Sequence, residues 1–208
     1  TTGDSFLRSF FKVIKSGIET QSIGKVFITG VLPITIDDLT SGFNIAEVIT
    51  LEEQFVNMLG FTHQETKDYL AQVFESHGFD PVRIPEILGI MANHYDGYRF
   101  LPDVEETLYN STIVTYFLKR FVLSGGKVPR ELIDDNIKTD VSWIERLTRV
   151  KENTDAMMDA LVFDSSLEYD LKQLVSKFNM RQFFEKDYYP ISLFYLGMTT
   201  IQSRYSMA

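Results

Sequence analysis

The 208-residue chain has 29 acidic and 20 basic side chains, a formal net charge of −9 and no cysteine. An acidic balance without a long basic tract argues against nucleic-acid binding by this segment, and the lack of Cys excludes disulfides and thiolate metal sites. A hydrophobic fraction of 44%, with 17 Phe and 10 Tyr, is enough to build a core for one or two domains, while no apolar run approaches the length of a membrane span.

The first element predicted is a helix over Asp4–Lys15, where Phe6, Leu7, Phe10, Phe11 and Ile14 fall at helical spacing and Asp4 can cap the start. Lys25–Val31 reads Lys-Val-Phe-Ile-Thr-Gly-Val, a short β-rich apolar run ended by Thr-Gly. Such a run predicts a buried strand of a parallel sheet over 25–30. Residues 32–46 read as a loop. Thr50 with Glu53, and Gly60 as a stop, predict a helix between them. Thr62-His-Gln-Glu65 is a second capping box and opens a helix to about Ser76, ended by Gly78. Asp80-Pro81 offers an N-cap and a first-turn proline for a helix reaching about His94.

Tyr95–Phe100 predicts a turn into a short extended segment, because Asp96-Gly97 favours a tight reversal. Asn110-Ser-Thr opens a helix to about Leu123, stopped by Gly125-Gly126. Weaker helical patterns follow at 129–135, 141–150, 153–162 and 166–177. A short helix over Pro190–Leu196 and a strand over Met198–Ser206 close the chain. The start at Thr1 has no initiator Met and enters a helix directly, which suggests a processed or cloned fragment. With no signal peptide visible, a cytoplasmic location is expected.

The foremost functional candidate is Thr29. Ligands of open α/β sheets gather outside the carboxyl ends of strands. A hydroxyl there can touch a phosphate oxygen or orient a water, though a core strand whose Thr bonds backbone has the same pattern. The second candidate is the corner Tyr95, Asp96, Gly97, Tyr98 and Arg99, either a polar recognition surface or a structural corner with aromatic packing. His63, His77 and His94 lack carboxylate partners at metal-binding spacing. Glu65-Thr-Lys67 matches half of a metal-nuclease core, but Glu65 belongs to a helix cap. Asp37-Asp38 suits a turn better than Mg²⁺, and Ser41-Gly42 has no recognisable His base. No Gly-x-x-x-x-Gly-Lys-Ser/Thr phosphate loop occurs in the sequence.

Several blocks in order resemble one family: Val26-Phe-Ile-Thr-Gly-Val-Leu-Pro-Ile34, Leu39-Thr-Ser-Gly-Phe-Asn44, and Met58-Leu-Gly-Phe-Thr62 with Glu65. His94-Tyr-Asp-Gly-Tyr-Arg-Phe100 and Leu108-Tyr-Asn-Ser111 complete the set. Together they resemble the bacterial AAA-ATPase-like family, P-loop proteins common in gut Bacteroidetes and usually fused to a restriction-endonuclease-like nuclease domain. The resemblance runs over about residues 5 to 205.

The resemblance implies an α/β, predominantly α-helical fold. Residues 1–48 would be the C-terminal part of an ATPase core, carrying a remnant of its parallel sheet. Residues 49–208 would be a helical lid or sensor region closed by a short C-terminal strand. It also implies that ATP and Mg²⁺ are bound by a phosphate-loop part upstream, and that the nuclease-like part lies downstream. Thr29 matches the sensor-type polar residue beside the acidic strand. The chain alone would then need no cofactor and hydrolyse no ATP. It departs from the family at Asn110-Ser-Thr, where Asn-Pro-aromatic is usual; both Asn and Ser can still cap a helix. The rival reading is a helical protein-binding module whose ATPase ancestry is vestigial.

Overall fold

The computed structural model describes residues 2–30, 45, 47–133, 147, 159, 167–170, 174 and 182–202. These residues are predominantly helical, and among them the only β pairing is two isolated bridges. The chain divides into two compact units, residues 1–48 with 139–199 and residues 49–138 with 200–208.

In the first unit, α1 (Thr2–Glu19) begins earlier and runs longer than the predicted Asp4–Lys15. Its exit is held locally. The Thr20 hydroxyl donates to the Ser16 carbonyl at 2.9 Å, Gln21 adopts a left-handed φ of 59°, and the Ile23 amide donates to the Gly17 carbonyl at 2.9 Å. The same unit contains α5 (Tyr189–Tyr195), preceded by 3-10 turns at Gln182–Phe184 and Lys186–Tyr188. Buried Ser192 points its hydroxyl at the carbonyls of Phe183 (2.7 Å) and Tyr188 (3.0 Å), which locks those turns under the helix. The Tyr195 hydroxyl donates to the Leu174 carbonyl at 2.7 Å, and Tyr189 donates to that of Leu147.

The second unit is built on α2 (His63–His77), α3 (Ile84–Tyr95) and α4 (Ser111–Leu123). Each start is set by the residue types at it. Thr62 and Glu65 form a reciprocal capping box: the Thr62 hydroxyl accepts from the Glu65 amide, and the Glu65 carboxylate accepts from the Thr62 amide at 2.8 Å. Asp80 caps a 3-10 turn over Pro81–Arg83 that leads into α3, its Oδ1 accepting from the Val82 amide at 3.0 Å. Asn110 Oδ1 accepts from both Thr112 and Ile113 amides at 3.1 Å.

Leu70 and Phe74 of α2, Ile87 and Met91 of α3, and Val114, Phe117 and Phe121 of α4 are 0–1% exposed and form the core. Its aromatic rings run in a continuous series. Phe74 stacks on Phe121 with centroids 5.5 Å apart, Phe121 stacks on Phe117 at 6.1 Å, and Phe117 meets the edge of Tyr95 at 5.8 Å.

Five sequence expectations are corrected. Residues 25–30, expected as a buried strand, are irregular and exposed. No backbone hydrogen bond joins them to another described residue, and a strand cannot exist without a neighbour to pair with. The helix expected between Thr50 and Gly60 is only a 3-10 turn at Glu53–Phe55. None of its residues is buried, and a ten-residue helix without a face to bury is marginal in water. Residues 129–133, expected helical, are irregular, as are 167–170 within the pattern at 166–177. The C-terminal strand expected from Met198 is irregular through Gln202, and its remainder lies outside the described residues. Leu147, Asp159 and Leu174 are helical, but the rest of the patterns at 141–150, 153–162 and 171–177 lies outside them, as do Asp37-Asp38 and Ser41-Gly42.

Candidate functional site

Thr29 lies in the segment that leaves α1. It is exposed, and so are its apolar neighbours: Val26 is 39% exposed, Phe27 61% and Ile28 44%. Burying such side chains is worth about 1.5–3 kcal/mol each, so three adjacent ones left in water are an unfavourable arrangement for the chain by itself. The segment keeps strand-type residues and pairs with no other described residue.

The Tyr95–Arg99 corner belongs to the second unit and is a junction. Tyr95 ends α3 and is 5% exposed; its hydroxyl donates to the Leu132 carbonyl at 2.6 Å. Asp96 turns its carboxylate onto the Gly97 amide at 2.7 Å. Gly97 has φ 121°, a left-handed value that residues with a Cβ rarely adopt. Tyr98 pairs in both directions with Leu108, its amide 3.2 Å from the Leu108 carbonyl and its carbonyl 2.9 Å from the Leu108 amide.

Arg99 serves the fold. Its guanidinium donates to the carbonyls of Glu105 (3.2 Å) and Gln202 (3.3 Å), and its amide donates to the Thr200 hydroxyl at 2.7 Å. Its Nε is buried without a hydrogen-bond partner among the described residues. The guanidinium therefore ties the backbone at Glu105 and at Gln202 to this corner.

The strand-like stretch Leu108–Asn110 completes the junction. Leu108 pairs with Tyr98 on one side, while the next residue, Tyr109, pairs with Phe61 on the other at 2.8 and 3.0 Å. The Asn110 amide then donates to the Tyr95 carbonyl at 3.0 Å. Three consecutive residues thus join the chain just before α2, the end of α3 and the start of α4. Gly60 permits the approach: a Cβ there would sit 3.0 Å from both the Leu108 Cβ and the Tyr109 carbonyl oxygen.

Tyr109 is fully buried, and its hydroxyl lies 2.8 Å from His63 Nδ1. Burial, reinforced by the Asp96 carboxylate, pushes its phenol up to about 12. Burial, then Tyr116, does the same for Tyr95, and burial alone raises Tyr98. All three phenols are held neutral, which makes them hydrogen-bonding groups and poor bases or nucleophiles at ordinary pH.

The structure therefore brings Tyr95, Asp96, Gly97, Tyr98 and Arg99 together in one corner. It adds Phe61, Leu108, Tyr109, Asn110 and Thr200, which sequence patterns did not link to it. Asn110 could be read as a cap, but nothing local announces that Leu108 and Tyr109 pair to opposite sides. Of the other histidines, His77 Nδ1 lies 3.1 Å from the Val73 carbonyl with its ring stacked on Phe79, and His94 leans on Tyr95. Among the described residues, no three His, Asp or Glu side chains gather as a metal site, and no helix is long and apolar enough to cross a membrane. Comparison with protein-family models, curated proteins and solved structures finds no match to this chain.

Proposed function

We propose that this chain is the sensor strand and helical region of a longer AAA-ATPase-like protein, coupling nucleotide state to motion. The observation that carries the reading is the exposed trio Val26, Phe27 and Ile28 beside Thr29. A strand sequence left uncovered fits a protein whose remaining sheet comes from sequence outside these residues. There, residues 25–30 would be a parallel strand with Thr29 at its carboxyl end. The second unit, with its hydrogen-bonded junction at Leu108–Asn110, would be the part that moves.

In this reading ATP and Mg²⁺ are not held by this chain alone, whose sequence contains no phosphate loop. No hydrolytic step is assigned to it. Nucleotide and metal would be gripped by a phosphate loop and acidic strand elsewhere in the protein.

The test is ATP turnover by a longer protein in which a phosphate-loop segment precedes these residues, beside its Thr29→Val variant. Magnesium-dependent turnover is expected, with a loss of about 10–100-fold in the variant, or roughly 1.4–2.8 kcal/mol of barrier, and an unchanged melting temperature. Equal turnover would remove Thr29 from the chemistry. A melting temperature that falls together with turnover would assign Thr29 to packing. A well-folded longer protein with no turnover would favour the rival, a helical binding module.

A further inference from the structure

We draw no further inference here: the strongest candidate, the exposed apolar segment Val26–Ile28 that follows the first helix, belongs to the site already described, and nothing in the structure shows what covers it.

Discussion

At the level of single residues, Gly97 and Tyr109 give the clearest tests. A Cβ built on Gly97 meets nothing within 4 Å, so crowding is not what restricts the position. The restriction is the backbone angle alone, φ 121°. Gly97→Val should cost about 1–3 kcal/mol, the range for holding a residue in a sparsely populated region. A urea midpoint equal to that of the parent chain would show that the turn relaxes freely. For Tyr109 the prediction concerns alkaline pH. Its folded pKa of about 12 lies above the ordinary phenol value of 10.0. The unfolded chain therefore gives up this proton first as pH rises. Stability is intact below about pH 10 and is lost as pH climbs towards 12. Tyr109→Phe should soften that alkaline fall, while costing about 0.5–1.5 kcal/mol at neutral pH for the hydrogen bond to His63. Melting curves at pH 7 and across pH 10–12 would separate the two effects. An alkaline slope identical in parent and variant would mean that the Tyr109 phenol titrates normally.

Among the elements, the helices of the second unit were legible where their signals are local. Thr62, Glu65, Asp80 and Asn110 each bond amides two or three residues away, so their chemistry is contained in a few letters. The segment after Thr50 carries similar letters and fails, because a cap cannot supply the buried face that a short helix needs. The Leu108–Asn110 junction was invisible for the opposite reason. Its partners, Phe61, Tyr95 and Tyr98, are brought to it by the packing of three helices, and no window of sequence contains them all. Asn110 belongs to both classes, since its side chain caps α4 while its backbone closes the end of α3. Asn110→Ala removes only the first role. It should cost about 1 kcal/mol, the usual loss of an N-cap, and leave the amide bond to the Tyr95 carbonyl in place. Thermal melts of the variant measure this, and a loss several times larger would mean that the side chain also holds the junction.

For the whole molecule, the two candidate regions differ in how complete they are. The Tyr95–Arg99 corner has aromatic, carbonyl and hydroxyl partners in place. Thr29 was picked out by a sequence that spells a strand, yet the strand itself is missing, because pairing is a property of neighbours and not of the six residues concerned. That mismatch has a practical side. Residues 26–30 combine β-branched and aromatic side chains with no charge and no proline, the composition that favours edge-to-edge pairing between separate chains. In concentrated solution such a segment can pair with the same segment of another copy. Light scattering should therefore rise with protein concentration, and Phe27→Asp should suppress it without lowering the melting temperature, since the ring is already 61% exposed. Scattering unaffected by the added charge would place the cause elsewhere. The concentration at which this chain stays dispersed would then be set by residues 26–30 and not by how firmly its helices are packed.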